Sequence, residues 1–408
     1  MSIPFDDNKV RQDFPLLTRW AAGGPIVYFD NAATTLKPQK VIDALTRYMV
    51  YSTANIHRGN HTLAQEASIA YEHVREKAAR FINCSSHEVI FVRGATEGIN
   101  LVAAGMNLQK DENVVGTLLE HHSNILPWKS RCEYRAAPLL PSGLPDLDAA
   151  SSLIDEKTRL LAVTSCSNVT GVYVPVRPWA ELAHRHNLPL LVDAAQSGAH
   201  HKMDVGEMDC DFLVVSGHKM CGPTGAGILY GKEKYLMKLT PVFLGGGTVS
   251  LVRPDYSYEL RELPWRFEAG TPDIAAVLGF GAAIDYVEEV GFDAIKEHMS
   301  KMRSALDDLF SSIKGIRLLQ PIDAAIPRAC TVSFTEASGT FPPDYMSRIL
   351  SDTFGIMARS GHHCAHPLHD YFGVQGSLRV SLLFYNTLAE VSYLGDALRT
   401  VLKMTGTA

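Results

Sequence analysis

No stretch of the 408 residues stays apolar over the roughly 18 positions that a membrane-spanning helix requires. The N-terminal residues Met1–Asp7 have neither the basic start nor the apolar stretch of a secretory signal. An excess of basic residues is absent as well, because 38 lysines and arginines face 44 aspartates and glutamates, which gives a formal net charge of -6. We therefore expect a cytoplasmic protein that has neither a membrane nor nucleic acid as its partner.

The chain also lacks the cysteine pattern of a disulfide framework or of a CxxC motif. Its seven cysteines are an odd number and are scattered along the sequence, at Cys84, Cys132, Cys166, Cys210, Cys221, Cys330 and Cys364. This arrangement fits free thiols in a reducing compartment. Most of these thiols are expected to be buried and structural, and their spacing leaves open whether one of them is reactive.

What the sequence does contain is an alternation of helical and strand patterns over its first two-thirds. Short, uniformly apolar runs recur at Val89–Val92, Val114–Leu118, Leu160–Val163, Leu188–Val192 and Phe212–Val215. Such runs are typical of buried strands in a largely parallel sheet that is covered by helices. Two helices are predicted before them, one that begins near Pro38 and one that is centred on Val74.

The last third of the sequence has a different pattern, which is typical of a smaller α+β domain. A long helical pattern runs from about Ala275 towards Leu309, and a final helix closes the chain. Between these two helices, strands are predicted at Cys330–Phe334, Ile356–Arg359 and Leu378–Leu382, and a helix is predicted at Tyr345–Phe354. The glycine-rich stretch that begins at Gly245 and continues through Arg266 is predicted to be an irregular excursion.

Two polar motifs follow apolar runs, at the strand ends where ligands collect in parallel sheets. The glycine turn Gly94–Gly98 opens a helix, and a helix N-terminus with free N–H groups suits a phosphate. The alternative is an ordinary capped helix. The segment around His121 is either a polar loop or carries an imidazole that lies against a planar ligand. A metal site is disfavoured there, because adjacent histidines on extended chain point to opposite faces.

Two further strand ends carry charged side chains. Asp193 closes one apolar run, and a buried carboxylate needs a partner such as a protonated pyridine nitrogen; the alternative is a helix cap. Lys219 closes another run before a glycine-rich turn, which favours a reactive neutral amine over a surface lysine. A phosphate turn, a stacking histidine, an aspartate and a lysine are the four functions that a pyridoxal phosphate site requires in one crevice.

The sequence resembles the group II (SufS/CsdA-type) cysteine desulfurases of the class V aminotransferase superfamily, almost from end to end. The stretches that carry the resemblance are Tyr28–Ala33, Asn55–Gly59, Gly94–Asn100, Glu120–Asn124, Ser167–Gly171, Ser216–Lys219, Phe267–Pro272, Arg359–Ala365 and Tyr385–Thr387. The resemblance implies an α/β fold, the fold type I of pyridoxal-phosphate-dependent transferases, with a mostly parallel sheet in its large domain. It also implies a smaller C-terminal α+β domain.

The resemblance implies three units along the chain. Residues 1–25 would form an N-terminal segment that packs on the small domain. Residues 26–285 would form the large domain that binds pyridoxal 5′-phosphate. Residues 286–408 would form the small domain, with Cys364 on a short loop.

The same resemblance implies roles for individual residues around the cofactor. Lys219 would bond the cofactor aldehyde, Asp193 would pair with the ring nitrogen, and His121 would stack on the ring. The residues expected to contact the ring substituents are Asn168 and Gln196. Those expected around the phosphate are Thr96, Ser216 and His218. Thr271 would be supplied by the other subunit of a homodimer. Ala95 also lies at this site, at a position where these enzymes usually have threonine.

Around the substrate, the resemblance implies that Arg379 binds the carboxylate of L-cysteine and that Cys364 accepts the sulfur. Lys219, Cys364 and His121 are thus the expected catalytic residues. The residues expected to bind the substrate are Arg379, Arg359, Asn168, His57 and His363. The implied products are L-alanine and a Cys364 persulfide, which a SufE-like or SufU-like acceptor protein would take on for iron–sulfur cluster or other thio-cofactor biosynthesis.

Several alternatives remain open from the sequence. A carbon–sulfur lyase or a selenocysteine lyase of the same superfamily would share the cofactor site, but it would not need an acceptor thiol at Cys364. A metallohydrolase that uses the His362–His369 cluster and a cofactor-free sulfur carrier or scaffold are two further alternatives. Departures from the family pattern at Ala95, Asp273 and His366 leave open whether the chain serves general iron–sulfur assembly or a specialised pathway.

Overall fold

A computed structural model describes residues 5–319 and 325–404 of the chain. The strands are β1 (Trp20–Ala21), β2 (Gly24–Pro25), β3 (Val27–Tyr28), β4 (Val89–Val92), β5 (Asn113–Thr117), β6 (Glu133–Ala137), β7 (Thr158–Thr164), β8 (Leu190–Asp193), β9 (Phe212–Ser216), β10 (Gly227–Gly231), β11 (Val249–Val252), β12 (Tyr258–Leu260), β13 (Ile316–Leu318), β14 (Thr331–Glu336), β15 (Ile356–Met357), β16 (Arg359–Gly361) and β17 (Ser377–Ser381). The helices are α1 (Asp7–Gln12), α2 (Gln39–Tyr51), α3 (Thr62–Ile82), α4 (Ala95–Gly105), α5 (Leu126–Lys129), α6 (Leu147–Ser152), α7 (Val176–Arg185), α8 (Val205–Met208), α9 (Glu233–Leu236), α10 (Ile274–Val290), α11 (Phe292–Ser312), α12 (Pro343–Phe354), α13 (His366–Phe372) and α14 (Leu388–Met404).

A seven-stranded sheet forms the centre of the large domain, in the order β4-β10-β9-β8-β7-β5-β6. All neighbouring strands are parallel except β10, which runs antiparallel to both β4 and β9. The five apolar runs of the sequence correspond to β4, β5, β7, β8 and β9, so the predicted α/β fold with a mostly parallel sheet is confirmed.

Alternate residues of these strands belong to two separate hydrophobic cores, one on each face of the sheet. In β7, Leu161 and Val163 join the larger core, whereas Leu160 and Ala162 join the smaller one with helix α4. Because both faces are covered, the strands have no polar face, which explains their uninterrupted apolar sequences.

Two strands of the sheet were not predicted, each for a local reason. Strand β10 is bounded by Gly227 and Gly231, and glycine usually indicates a turn. Strand β6 lies at the edge of the sheet and is partly exposed, so its sequence has no apolar run. The prediction of an irregular excursion from Gly245 to Arg266 was incomplete, because that segment contains the antiparallel hairpin β11–β12.

The smaller sheet has the order β13-β14-β17-β16 and is antiparallel throughout. The predicted single helix from Ala275 to Leu309 was wrong: the chain forms α10 and α11, separated at Gly291, whose φ of 86° lies in the left-handed region. A helix cannot continue through that conformation, which glycine adopts at low cost. Among residues 5–319 and 325–404, no helix combines the length and the apolar character needed to cross a membrane.

The N-terminal segment contacts the C-terminal part of the chain. The guanidinium of Arg11 donates to the Tyr385 carbonyl at 2.7 Å and pairs with Glu390 at 2.9 Å, and the Phe5 ring lies 4.5 Å from that of His298. These contacts agree with the expected packing of the segment. The unit boundaries at residues 25 and 285 stay a prediction, and residues 1–4, 320–324 and 405–408 of those units lie outside the described residues.

We predict that Gly227→Ala lowers the free energy of unfolding by about 1–3 kcal/mol, the usual cost of overpacking. An added Cβ would overlap the Val215 carbonyl oxygen and lie 3.0 Å from Cα of Gly94, so the sheet would have to shift beside the predicted phosphate turn. The measurement is denaturant unfolding at a fixed cofactor concentration. Gly24→Ala is the control, because its Cβ would meet no atom within 4 Å. Equal stability of the two variants would contradict the prediction.

Candidate active site

A cavity of about 280 Å³ lies at the carboxyl ends of the central parallel strands and reaches the small domain. All the predicted site residues line this cavity except two. Those that line it are Ala95, Thr96, His121, Asn168, Asp193, Gln196, Ser216, His218, Lys219, Arg359, His363, Cys364 and Arg379. The structure therefore brings together side chains that are up to 284 positions apart in the sequence, from Ala95 to Arg379.

Asp193 and Lys219 face the same cavity without forming an ion pair with each other or with another described residue. The Asp193 carboxylate is buried at the end of β8 and accepts one hydrogen bond, from the Ala195 N–H at 3.0 Å. Burial raises the pKa of Asp193 and lowers the pKa of Lys219, and the attraction between the two groups only partly offsets this effect. A cationic ring nitrogen beside Asp193 would supply that compensation, and a neutral Lys219 amine is suited to attack an aldehyde. These two residues fit pyridoxal phosphate.

The N-terminus of α4 forms one wall of the cavity. The Ala95 N–H donates to Ser216 Oγ at 2.9 Å, and the hydroxyls of Thr96 and Ser123 lie 2.7 Å apart. Ala95 has no hydroxyl of its own, so Thr96, Ser123 and Ser216 are the hydroxyl groups available on this wall. Hydroxyls beside the start of an 11-residue helix suit a phosphate group.

His121 is held in one neutral tautomer. The Ser123 backbone N–H can only donate, and it lies 3.1 Å from His121 Nδ1, so Nδ1 is the acceptor and Nε2 carries the proton. Burial, followed by the charge of Lys219, lowers the pKa of His121 to about 3. The ring is therefore an uncharged hydrogen-bond donor at Nε2, which agrees with a ring that stacks on a cofactor and argues against a positively charged role.

Asn168 connects the large domain to the small domain across the cavity, whereas Gln196 holds the Ala32 backbone within the large domain. Asn168 Nδ2 donates to the His363 carbonyl at 2.8 Å, and the Asn168 carbonyl accepts from Arg379 Nη1 at 2.9 Å. Gln196 Nε2 donates to the Ala32 carbonyl at 2.8 Å. The two amide side chains thus support the cavity wall through backbone groups.

Arg379 is almost fully buried on β17 and shares a carboxylate with Arg359 on β16. Asp30 accepts from Arg359 Nε and Nη2 at 3.0–3.1 Å and from Arg379 Nη2 at 3.3 Å. The buried Arg379 Nε–H has no hydrogen-bond partner in the described part of the chain. Burial lowers the pKa of Arg379 to about 10, which leaves it charged at neutral pH. The guanidinium is positioned by Asp30 and Asn168 and still has donors for an incoming carboxylate.

Cys364 is exposed at a sharp reversal between β16 and α13. His363 and Cys364 both have positive φ, at 49° and 56°, a conformation that costs free energy for residues other than glycine. Lys219, Arg359 and Arg379 all interact electrostatically with the Cys364 thiol. The backbone thus presents the sulfur atom to two guanidinium groups and to the Lys219 amine at the mouth of the cavity.

His363 does not supply a positive charge to this thiol. The His369 Nδ1–H donates to the Ala365 carbonyl at 2.9 Å, so the Ser377 hydroxyl donates to His369 Nε2 and accepts from His363 Nε2–H at 3.1 Å. Burial lowers the pKa of His363 to about 2, and its Nδ1 is left as a buried acceptor without a partner among the described residues. Neither His121 nor His363 therefore supplies a positive charge to Cys364, because the pKa of each ring lies well below the ordinary value.

The single chain does not bring His57 and Thr271 to this cavity. Both line a second cavity of about 240 Å³ with Arg58 and Glu268. His57 Nε2 contacts Glu72 at 2.8 Å. A role for His57 or Thr271 at the cofactor thus requires another subunit, and their assigned roles stay predictions.

Three residues that sequence reasoning missed take part in the site: Asp30, Ser123 and Ser377. Asp30 could have been inferred, because a charged arginine within an apolar strand such as Leu378–Val380 needs a carboxylate partner. Ser123 and Ser377 have no such signal, because a serine near a strand end is common.

Among residues 5–319 and 325–404, no group of three histidine, cysteine or acidic side chains is arranged to hold a metal ion. The His362–His369 cluster therefore gives no support to a metallohydrolase.

Comparison with known proteins gives one family. The profile of the family "Aminotransferase class-V" matches residues 27–394. The chain is 42% identical over 414 aligned residues to a protein named cysteine desulfurase from Salmonella agona (strain SL483), which covers 99% of this chain and 100% of the relative.

Two solved structures are similar over nearly the whole chain. The apo cysteine desulfurase from Thermococcus onnurineus NA1 has a TM-score of 0.89 and 35% identity, and the alignment covers 99% of both chains. The cysteine desulfurase CsdA (S-sulfonic acid) from Escherichia coli has a TM-score of 0.86 and 34% identity, over 98% of this chain and 100% of that one.

We predict that the ring signals of His121 do not move between about pH 8 and about pH 5, because its pKa of about 3 lies far below the ordinary ~6.5. The measurement is NMR of the protein labelled with [ε1-¹³C]histidine, with His121→Gln to assign the signal and free histidine as the reference. The lowered pKa also makes stability depend on pH. Below about pH 6.5 the His121 imidazole takes up a proton in the unfolded chain but not in the folded protein, so the free energy of unfolding decreases as the pH falls. Titration of His121 near pH 6.5 would contradict the assignment.

Proposed function

The chain belongs to the aminotransferase class-V family and is a cysteine desulfurase dependent on pyridoxal phosphate, and we propose that Lys219 binds the cofactor and that Cys364 receives the sulfur. The observation that carries this proposal is that an exposed thiol, a lysine amine whose pKa is lowered by burial, and a buried carboxylate line one cavity. A desulfurase needs these three groups within reach of one substrate molecule.

When bound, pyridoxal phosphate supplies an aldehyde that bonds amines and an electron-withdrawing ring. Lys219 would hold the aldehyde end, Asp193 the ring nitrogen, and His121 the face of the ring. Ser216, His218 and Thr96 would hold the phosphate beside α4. Burial lowers the pKa of His218 to about 4, so its ring would act as a neutral hydrogen-bond donor or acceptor.

The substrate carboxylate would bind to Arg379, whose orientation is set by Asp30 and by the Asn168 carbonyl. The Lys219 amine is the base for the Cα proton of cysteine. His121 is less suited, because its free Nε2 already carries a proton and its Nδ1 is engaged by Ser123. His121 would instead donate that proton or a hydrogen bond.

The sulfur step would follow from the position of Cys364. Its thiolate attacks the sulfur atom of the bound cysteine, a sulfur–sulfur bond forms, and the Cβ–S bond of the substrate breaks. The carbon skeleton keeps the electron pair, takes up a proton and leaves as L-alanine. The guanidinium groups of Arg359 and Arg379 interact electrostatically with the Cys364 sulfur atom.

A lyase that expels sulfur or selenium without an acceptor thiol is the alternative within the family. The cavity contains Cys364 in addition to the cofactor residues, which favours sulfur transfer to the protein.

The proposal includes a homodimer, an acceptor protein and a cytoplasmic location. Support for the dimer comes from the cavity that contains Thr271 and from exposed apolar side chains on α2, α3 and the loop near residue 243. These side chains are Met49, Val50, Tyr51, Ile69, Val242, Phe243 and Leu244. A SufE-like or SufU-like protein would take the persulfide sulfur from the exposed Cys364 for iron–sulfur cluster or other thio-cofactor biosynthesis.

We predict that Cys364→Ala keeps the visible absorption of the bound cofactor but loses alanine production from cysteine by at least about a hundredfold, because the attacking sulfur is gone. Alanine is measured by chromatography, and absorption by spectroscopy. Cys84→Ala is the matched control, because Cys84 is a partly exposed thiol that does not line the cavity. Unchanged alanine formation by Cys364→Ala would indicate a lyase instead.

We predict that Asp30→Asn raises the KM for cysteine about tenfold and changes kcat less, because one charge-assisted contact to the carboxylate-binding arginine is worth ~1.5 kcal/mol. Steady-state kinetics measure both constants. Asp307→Asn is the control, since Asp307 also pairs with two arginines, Arg303 and Arg328, but lines a different cavity. A lower KM in Asp30→Asn would show that Asp30 competes with the substrate rather than positioning Arg379.

A further inference from the structure

Lys219 lies in a short turn whose backbone is held by a distant segment of the chain. The turn Gly217–Lys219 follows strand β9, and the Met220 N–H closes it by donating to the Gly217 carbonyl at 2.9 Å. Cys221 comes next, with a φ of 63° in the left-handed region, which costs free energy for a residue other than glycine. Contacts from outside the turn must therefore offset this cost.

Thr35 supplies such contacts on both sides of Lys219. Its backbone N–H donates to the His218 carbonyl at 3.0 Å. Its hydroxyl accepts from the Cys221 N–H at 2.8 Å and donates to the same His218 carbonyl at 3.1 Å. One buried residue thus fixes the peptide group directly before Lys219 and the N–H two residues after it.

Lys37 directs its ammonium at the same place. An ammonium has three N–H donors, and Lys37 Nζ donates to the Thr35 carbonyl, to the His218 carbonyl at 3.1 Å and to the Thr34 hydroxyl at 3.3 Å. The Thr34 hydroxyl in turn donates to the His218 carbonyl at 3.0 Å. Four donor groups therefore surround the oxygen of the peptide bond between His218 and Lys219, more than its two lone pairs require.

The charge of Lys37 is not paired with a carboxylate in the described part of the chain. Lys40 and Lys77, by contrast, form ion pairs with Glu289 and Asp285. Burial lowers the pKa of Lys37 to about 8, so the side chain is mostly charged at neutral pH. A half-buried cation with only uncharged partners is costly, and here all of those partners belong to the turn that carries Lys219 or to the segment that holds it.

The segment that contains Lys37 is itself anchored to the small domain. The Ala32 N–H donates to Ser381 Oγ at 2.9 Å, and the Leu36 N–H donates to the Tyr385 hydroxyl at 2.9 Å. Ser381 and Tyr385 are both buried. Residues 32–37 are therefore fixed at both ends by contacts that do not involve a cofactor, and they can serve as a rigid support for the turn.

We propose that Lys37 is a positioning residue for Lys219: by holding the His218 carbonyl, its ammonium fixes the backbone from which the Lys219 amine reaches the cofactor aldehyde. The inference rests on the proposed function, in which Lys219 bonds pyridoxal phosphate. A fixed backbone leaves fewer conformations to lose when the bond forms, which raises the effective concentration of the amine. Lys37 should then strengthen the bond to the aldehyde more than the binding of the ring and the phosphate.

Two ligands separate these effects. Pyridoxal 5′-phosphate can bond Lys219, whereas pyridoxamine 5′-phosphate has the same ring and phosphate but carries an amine in place of the aldehyde. The dissociation constant of each is measured by calorimetry on the full-length protein from which the cofactor has been removed, at about pH 7. Lys37 also interacts with the His218 ring, so the ratio of the two constants is compared, because it cancels any change common to both ligands.

In Lys37→Met, a stem of similar length remains but all three donors are lost. We expect the ratio to shift about tenfold against pyridoxal phosphate, the usual worth of one charge-assisted hydrogen bond. Lys37→Arg keeps the charge and N–H donors, so its ratio should lie closer to that of the parent protein. Lys77→Met is the matched control, because Lys77 is also half-buried but pairs with Asp285 at 2.6 Å and does not line the cavity. Its ratio should equal that of the parent protein.

An unchanged ratio in folded Lys37→Met would overturn the proposal, as would an equal weakening of both ligands, which would indicate a role in general packing. If Lys37→Met does not fold, Lys37→Gln decides in its place, with an expected shift of about threefold because it keeps an uncharged N–H donor.

Borohydride reduction of the parent protein with bound pyridoxal phosphate, followed by peptide mass analysis, tests the proposed function separately. Absence of the cofactor from the Lys219 peptide would contradict the proposed function. Attachment to Lys219 together with an unchanged ratio in Lys37→Met would contradict only the role of Lys37.

Discussion

The site depends on the burial of two opposite charges that do not touch each other. Asp193 ends β8 and Lys219 follows β9, which are neighbouring strands of a sheet that is covered on both faces; the carboxylate is buried, and the amine faces the cavity. Burial raises the pKa of the carboxylate and lowers that of the amine. An arrangement of this kind costs stability in the empty protein and is offset only when a charged ring lies between the two groups. The hydrophobic sheet is thus what makes the amine reactive.

The second requirement is that the small domain supplies the groups that recognise and attack the substrate. Arg379 and Cys364 belong to the C-terminal sheet and its adjoining loop, whereas the amine belongs to the central one. Contacts across the junction fix their relative position: Arg379 donates to Asn168, Asn168 donates to His363, and Ser333 donates to Val169. Substrate binding and sulfur transfer are therefore sensitive to the packing of the two sheets.

The sequence was sufficient for the central strands and for the residues that follow them, because uniform burial produces apolar runs and parallel strands place their ends together. The family resemblance was confirmed by the comparisons. The sequence was not sufficient where the conformation or the role of a residue depends on contacts with a distant part of the chain. Strand β10 exists because β4 and β9 both pair with it, although its glycines indicate turns. Asp30 acts through Arg379, which lies more than 300 positions away in the sequence, and Ser377 acts through His363, which lies more than 10 positions away.

The protonation states of the site residues could not be predicted from the sequence either. They give the arginines and the histidines of the site different roles. A histidine next to a cysteine suggests an imidazolium that activates the thiol, yet His363 is neutral because it is buried beside Arg379. The positive charges near Cys364 come from Arg359 and Arg379 instead. Guanidinium groups keep their charge at any physiological pH, so attraction to the thiolate is constant. The histidine side chains instead hold the backbone that follows Cys364, because His122 Nε2 accepts from the His366 N–H and His369 Nδ1 donates to the Ala365 carbonyl.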